Sequence, residues 1–418
     1  IKKISSNLIF GHVRLSILDT SAASNQPMIS ENGSHVMIFN GEIYNYIELR
    51  KQFENNNLNF KTQGDTEVLF KLLENFGSDS IQSLNGSYAF VFYNSKDNKI
   101  IISRDRFGKK PLYYFEDKEN LIISSEIKSI FSYLNKKRII RKSHLEAFIK
   151  YNYLPNSNEE TLYYEINQFM PGTITEIELG INSFKKEVSY KNCIENFLDL
   201  NSEVNLKELI KDSVKIRLRS DVKTAVLLSG GIDSTAVALN AKEISKDLTF
   251  VKGYMGEDED NFFANELAKN LKINLINIDL RENVEKIIKR IQNITKHLEL
   301  PIPITGITLA TNILYEKIAE MGIKVVLDGN GGDELYCGYT ERYLRFYINS
   351  CIENYEILNF LKFIYFRKDY HINLKTILKY SIQKIGNKFF NLNFEEKIFN
   401  GTKLSLKPIN PFLKKNIF

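Results

Sequence analysis

The stretch Ala225-Val226-Leu227-Leu228-Ser229-Gly230-Gly231-Ile232-Asp233-Ser234 decides the fold of the second half of the chain. An apolar run reads as a buried strand, turns through Ser-Gly-Gly-x-Asp-Ser and continues as a helix. Adjacent glycines let the backbone turn tightly and present N–H groups with no Cβ in the way. The helix start behind them adds orphan donors and the positive end of its dipole, so the segment suits an anion. Ser229 and Ser234 add hydroxyls, and Asp233 can hold a divalent cation against phosphate oxygens. No lysine follows the glycines and G-x-x-x-x-G-K-[ST] occurs nowhere in the chain, which argues against a Walker-type γ-phosphoryl machine. A helix-capping turn would explain two of these residues; all six, between an apolar run and a helix, favour the phosphate reading.

Working outward, apolar runs at residues 225–228, 248–251, 273–278 and 323–327 alternate with helical stretches at 234–244, 262–271 and 310–321. Short buried strands alternating with helices predict a doubly wound parallel sheet. A second loop, Asp328-Gly329-Asn330-Gly331-Gly332-Asp333-Glu334-Leu335-Tyr336-Cys337-Gly338-Tyr339, closes the last of these strands with flexible backbone and carboxylates able to share a Mg²⁺. The first half has another rhythm. Runs at 35–40, 88–93, 100–103 and 121–124, broken by turns such as Asn94-Ser95-Lys96-Asp97-Asn98, predict hairpins and antiparallel sheet, with helices at 46–55 and 65–76 between them. That is an α+β pattern. The polar stretch Asn201-Ser202-Glu203 separates the halves, giving expected domains of 1–195 and 202–418.

At 418 residues, the chain is long enough for two or three domains of about 150 residues each. Hydrophobic residues at 43% and charged residues at 26% fit globular cores and exclude disorder, collagen-like and coiled-coil classes. A formal charge of +5 is too mild to advertise a nucleic acid or an acidic membrane. Three cysteines, Cys193, Cys337 and Cys351, make neither a disulfide framework nor a spaced zinc cluster, so a cytoplasmic location is expected. No apolar run approaches the roughly 20 residues of a membrane span. The aromatic stretch 355–366 places Ile357, Phe360, Leu361 and Ile364 at helical spacing and predicts a packed amphipathic helix. The start at Ile1 and the stop at Phe418 without a helix end suggest that both termini are cut.

The 225–234 loop resembles that of the PP-loop ATP pyrophosphatases, and the 329–339 loop is similar to the G-x-G-G-D-E-L-x-x-G-Y loop of glutamine-dependent asparagine synthetases. The first half resembles the glutaminase domain of the same family. Gly11-His12-Val13-Arg14-Leu15-Ser16-Ile17-Leu18-Asp19 is similar to its glutamine-carboxylate loop, Phe39-Asn40-Gly41-Glu42-Ile43-Tyr44-Asn45 to its oxyanion segment, and Gly64-Asp65-Thr66-Glu67-Val68 to a third family segment. The segments 85–90, 104–113 and 124–128 match as scaffold and domain-interface elements.

The resemblance implies a four-layer αββα N-terminal-nucleophile domain followed by an α/β PP-loop domain. Arg14 would clamp the glutamine α-carboxylate in a bidentate way, in a loop with Leu15, Ser16, Ile17 and Leu18. Asn40 and Gly41 would stabilise the oxyanion, and Glu42 with Asp65 would hold the α-ammonium. Leu227, Ser229, Gly230, Gly231, Asp233, Ser234, Lys252, Asp328 and Gly329 would line ATP, with Mg²⁺ on Asp233 and Asp333. Glutamine-derived ammonia would displace AMP from an adenylated carboxylate, aspartate by default, with a homodimer as one form of assembly. A PP-loop ligase of another acceptor, a ring-closing β-lactam-synthetase-like enzyme, a tRNA-modifying PP-loop enzyme and a degenerate glutamine- or nucleotide-binding protein are the alternatives.

Three departures qualify the resemblance. The family's nucleophilic cysteine stands at the mature N-terminus, whereas no cysteine precedes Cys193, and neither Cys193 nor Cys337 takes that role. The family's C-terminal Arg-x-Pro-Phe-Leu-Asp segment has no counterpart, because Pro411-Phe412-Leu413 lacks the arginine. Asn330 stands where aspartate-using members place glutamate, and an amide can hydrogen-bond but cannot act as a base.

Overall fold

A computed structural model describes residues 1–54, 58–135, 137–151, 154, 159–179, 184–190, 205–256, 259–299, 304–336, 338, 340–366, 374–375, 377–379 and 381–382. By compactness the chain forms two units, Ile1–Gly329 and Asn330–Phe418. The expected boundary near 201–203, together with Cys193 and Cys337, lies outside the described residues.

The first unit opens with a short hairpin, β1 (Lys2–Lys3) and β2 (Ile9–Phe10), then β3 (Met28–Ile29) and β4 (His35–Ile43). Helices α1 (Tyr46–Glu54) and α2 (Asp65–Phe76) follow, then β5 (Gly86–Asn94), β6 (Lys99–Arg104), β7 (Tyr113–Glu116), β8 (Leu121–Ser124), α3 (Ile127–Leu134), α4 (Lys142–Tyr151), β9 (Asn167–Gln168), β10 (Thr173–Leu179) and β11 (Phe184–Tyr190). A six-stranded antiparallel sheet runs β11-β10-β6-β5-β4-β3, and a smaller sheet runs β8-β7-β9.

Both faces of the large sheet are buried, so β5 is a continuous apolar run and not an alternating one. Met37, Phe39, Phe90 and Phe92 pack under Val68, Leu69, Leu72 and Leu73 of α2, the four positions whose spacing predicts the helix face. The opposite face, through Val36, Val91, Ile100 and Ile102, meets Tyr114 and Phe169 of the small-sheet region. The far side of the small sheet offers Phe115 to Ile127, Ile130 and Phe131 of α3. Helix, sheet, sheet and helix thus stack in order.

The same unit continues with α5 (Leu206–Arg217), β12 (Thr224–Leu227), α6 (Ile232–Ile244), β13 (Thr249–Tyr254), α7 (Glu259–Leu271), β14 (Leu275–Asp279), α8 (Val284–Leu298), α9 (Gly306–Glu320) and β15 (Val325–Leu327). The four strands are parallel, in spatial order β14-β13-β12-β15. Val226 and Leu228 join one apolar cluster with Ala238, Ala241 and Phe250, while Ala225 and Leu227 join another with Val251, Ile313 and Ile318. Successive side chains point to opposite faces of a strand, so helices cover this sheet on both sides. Because the strand order reverses between β12 and β15, their C-terminal ends mark the topological switch point, the crevice at which open α/β sheets bind ligands.

In the second unit lie α10 (Gly332–Tyr336), α11 (Thr340–Glu353) and α12 (Ile357–Phe366). The predicted helix at 355–366 forms, but its packed face differs from expectation: Phe360, Phe363 and Ile364 pack near Leu344, Ile348 and Ile377, whereas Leu361 is exposed. Among the described residues no helix is long and apolar enough to cross a membrane.

Candidate functional site

Two sets of candidate residues come together in the first unit, one on the antiparallel sheet and one on the parallel sheet. The first lies along β4. Its partner β3 pairs only with Val36 and Met37, so among the described residues no strand pairs with 39–43 on that side, which forms an open edge. On the other side Gly41 is opposite Tyr88. Tyr88 gives its main-chain groups elsewhere: its C=O accepts from Asp105 N (2.7 Å) and its N–H donates to Asp105 Oδ2 (3.2 Å). In an antiparallel ladder alternate residues bond to alternate sides, so Gly41 N–H faces the open edge.

Side chains occupy the positions flanking it. Gln26 Oε1 accepts from Phe39 N (2.6 Å) and Gln26 Nε2 donates to Phe39 O (3.0 Å), replacing a missing strand. His12 Nε2 also donates to Phe39 O (3.1 Å), and burial lowers the pKa of this ring. Beyond Gly41, Ile43 N donates to Asp65 Oδ2 (2.8 Å). Glycine is obligatory at 41: its φ is +148° and a Cβ would lie 2.1 Å from Ser87 O.

The carboxylates beside this edge are held in an uneasy state. Burial, followed by the charge of Asp65, pushes Glu42 up to about 7, while Lys110 pulls it back. Burial pushes Asp65 up to about 6 against the hydrogen bond from Ile43 N. Two desolvated, like-charged groups gain from a cation between them.

Arg14, in an irregular loop, donates to Ser21 O (2.8 Å), Leu18 O (3.0 Å), Asn25 Oδ1 (3.4 Å) and Asp19 O. Its guanidinium is therefore oriented by its own loop. Within that loop Leu15 is exposed, Ser16 and Ile17 are half-buried and Leu18 is buried. Asn40 is half-buried on β4. The scaffold segment around Arg104 is tied down by carbonyls, with bonds to Lys110 O, Phe169 O and Gly108 O.

The second set lies at the crevice between β12 and β15. Ser229 N donates to Ser234 Oγ (3.2 Å), the two hydroxyls are 2.9 Å apart, and Ser234 Oγ donates to Gly231 O (3.1 Å). The loop is thus closed by its own serines before any ligand arrives. Gly231 caps α6 with no side-chain bond, so the first-turn donors of that helix have no capping side chain. Gly230 has φ +99° and a Cβ there would lie 2.4 Å from Asp260 O, at the start of α7.

The loop after β15 packs directly on the same helix start: a Cβ on Gly329 would lie 2.7 Å from Ser234 N and 2.9 Å from Asp233 Cβ. Tyr315 of α9 donates its hydroxyl to Asp328 Oδ2 (3.1 Å), and burial together with that carboxylate raises the phenol to about 12. Leu227 is half-buried at the end of β12, and Lys252 is buried in β13.

The remaining candidates, Asn330 and Asp333, belong to the second unit. There Asp333 lies in the first turn of α10 and its C=O accepts from Gly338 N (2.9 Å). Among the described residues no group of three or more His, Cys, Asp or Glu side chains could hold a metal ion. Gln26, His12 and Tyr315 were not foreseeable from the motifs, since each acts on a residue at least 13 positions away.

A glutamine amidotransferase domain profile matches residues 3–190, and an asparagine synthase profile matches residues 205–379. The chain is 32% identical over 352 residues to a putative glutamine-hydrolysing asparagine synthetase of Methanocaldococcus jannaschii, covering 79% of this chain and 66% of that protein. The chain belongs to the glutamine-hydrolysing asparagine synthetase family. Identity to asparagine synthetase 1 of Bacillus subtilis is 32%, covering 79% of this chain and 52% of that one. For asparagine synthetase B of Escherichia coli it is 30%, covering 80% and 57%. The chain spans roughly half to two thirds of the length of these synthetase relatives.

Proposed function

We propose that the chain is the glutamine- and ATP-binding portion of a glutamine-dependent amidotransferase that makes an amide from a carboxylate, with aspartate as the default acceptor. Residues 1–195 are read as an N-terminal-nucleophile αββα glutaminase domain and 202–418 as a doubly wound PP-loop domain. The observation that carries this reading is the open edge of β4. A main-chain N–H at Gly41 faces it, between a strand end tied by Gln26 and two carboxylates raised by burial and mutual charge. An amide substrate with an α-ammonium group suits that combination: the ammonium relieves Glu42 and Asp65, the charge of the loop-held Arg14 guanidinium attracts the α-carboxylate, and Asn40 with Gly41 stabilises the tetrahedral oxyanion. Ammonia released there is the nucleophile for the second step.

At the crevice, N–H groups of the 229–234 loop would bind the β- and γ-phosphates of ATP as the unit that leaves, with Leu227, Lys252, Asp328 and Gly329 around the nucleoside. Adenylation turns hydroxide, a poor leaving group, into AMP. The first-turn carboxylate of Asp233, next to phosphate-binding amides, is a hard oxygen donor suited to Mg²⁺ shared with phosphates. When bound, Mg²⁺ would neutralise the departing pyrophosphate. The buried free thiol of Cys351 fits a reducing cytoplasm.

The test is the fate of α-labelled ATP mixed with ammonium and candidate carboxylates. AMP with pyrophosphate, stimulated by aspartate, is expected; ADP would overturn the phosphate-loop reading. Stimulation only by other carboxylates would reassign the acceptor, a point on which Asn330 bears. Asp233→Ala should abolish pyrophosphate release while leaving glutamine affinity unchanged.

A further inference from the structure

The segment Arg219-Ser220-Asp221, which feeds β12 of the ATP-binding half, grips both walls of the β4 site. Asp221 Oδ2 accepts from Asp19 N (2.7 Å), a partner 202 positions away, and Asp221 N donates to Ile17 O (3.1 Å). Arg219 donates to Tyr44 O (2.5 Å), just past β4, and makes a two-pronged pair with Glu48 (2.6 and 2.5 Å). Arg217 lies over the Tyr44 ring, 4.7 Å from its centroid.

The residue seized by Asp221 is a junction. Asp19 has φ +45°, a left-handed conformation uncommon for a residue with a side chain. Its C=O accepts from Arg14, and its carboxylate accepts from Ser21 N (3.1 Å) and Gln63 N (2.8 Å). Gln63 leads through Gly64 into Asp65, and there is little space at that point: a Cβ on Gly64 would lie 3.2 Å from Asp19 Cβ. One main-chain unit therefore ties together the guanidinium loop, the Asp65 segment and the ATP-binding half.

We infer that Asp221 is a positioning residue of the glutamine site: from the ATP-binding half, its carboxylate and N–H hold the Ile17–Asp19 turn, and thereby set the distance between Arg14 and Asp65. This rests on the glutamine reading above. Asp221 touches no substrate in it. Its carboxylate is the acceptor for an amide that a strained turn points outward, and its own N–H fixes the turn two residues earlier, so the loop is clamped at both ends.

The experiment is calorimetric titration of the chain with L-glutamine, for wild type, Asp221→Ala and Asp221→Asn. The Ala variant should bind glutamine about tenfold more weakly, the scale of one lost charge-assisted hydrogen bond. The Asn variant, which keeps an acceptor oxygen, should recover most of the affinity. ATP affinity should be the same in all three, a result that a general loss of structure would not give. Amide hydrogen exchange on wild type gives a second reading that needs no variant: the Asp19 amide should be protected, and Asp221→Asn should keep most of that protection. Equal glutamine affinity in Asp221→Ala and wild type, or an unprotected Asp19 amide in wild type, overturns the inference. Wild type that binds no glutamine overturns the underlying glutamine reading instead.

Discussion

The β4 edge and the β12–β15 crevice both leave main-chain N–H groups without a main-chain partner among the described residues, by opposite means. At the crevice the donors come from helix and strand ends, and the loop is closed by serines at most five residues away. At the edge a sheet is left unfinished, and its neighbours are supplied from a distance by Gln26, His12 and Asp65. The first device is closed locally; the second is built over long range, from a glycine with no room for a Cβ and from groups that titrate. The difference predicts that the two sites will fail in different ways.

The largest expected effect is steric. Gly41→Ala places a Cβ 2.1 Å from Ser87 O on the neighbouring strand β5. It should destabilise the fold by about 3 kcal/mol or more, read as a lower denaturant midpoint. Gly230→Ala meets Asp260 O at 2.4 Å but in a surface loop, so it should spare the fold and weaken ATP binding by roughly 30-fold, the scale of about 2 kcal/mol of backbone strain. If Gly41→Ala folds normally and Gly230→Ala does not, the assignment of rigidity to the two sites is reversed.

Next comes pH. Glu42 is raised to about 7 and Asp65 to about 6, above the ordinary carboxylate range. An acid whose pKa is higher in the folded state binds more protons there, so its stabilising contribution is complete below the unfolded pKa and is lost as pH rises through the folded one. The unliganded chain should melt at a lower temperature at pH 8 than at pH 5. Glutamine affinity should move the other way and rise between pH 5 and 8, because its ammonium needs the ionised pair. Glu42→Gln should flatten both profiles and weaken glutamine binding about tenfold. ATP affinity measured over the same range should show no step from this pair, and a shared step would mean that the two sites are electrostatically coupled.

The smallest effect tests the side-chain part of the crevice. Tyr315→Phe removes the hydroxyl that holds Asp328 at 3.1 Å. A loss of about three- to tenfold in ATP affinity is expected, the worth of one hydrogen bond of about 1 kcal/mol. No change would show that the crevice depends on backbone alone, which sharpens the contrast with the edge.

This contrast also explains what could be read in advance. Strand, loop and helix at 225–244 are legible because the serine bonds that close the loop are local: the apolar run at 225–228 and the helical stretch at 234–244 mark β12 and α6, which occupy Thr224–Leu227 and Ile232–Ile244. Helix α2 occupies Asp65–Phe76 as its periodicity predicts. The apolar run at 35–40 understates the strand, since β4 continues to Ile43 through Gly41, a residue whose turn propensity masks its place in a sheet. Gln26 and Asp221 were illegible for a stronger reason. Their roles depend on partners 13 and 202 positions away, and no local pattern marks a side chain that stands in for a strand or reaches into another half of the molecule. The α12 face departs from the expected stripe at Leu361 because helical spacing fixes which residues align, but not which stripe a neighbour covers.

The unfinished edge has a further consequence for life in a crowded solution. A strand with unsatisfied main-chain groups invites another chain to pair with it. Here the amide of Gln26 occupies both groups of Phe39, and the carboxylate of Asp65 takes the next-but-one position after Gly41. An incoming strand needs a run of free rungs and finds only one between two blocked ones. A gap of one rung therefore turns away a polypeptide strand, and the same two side chains guard this edge against pairing with another chain.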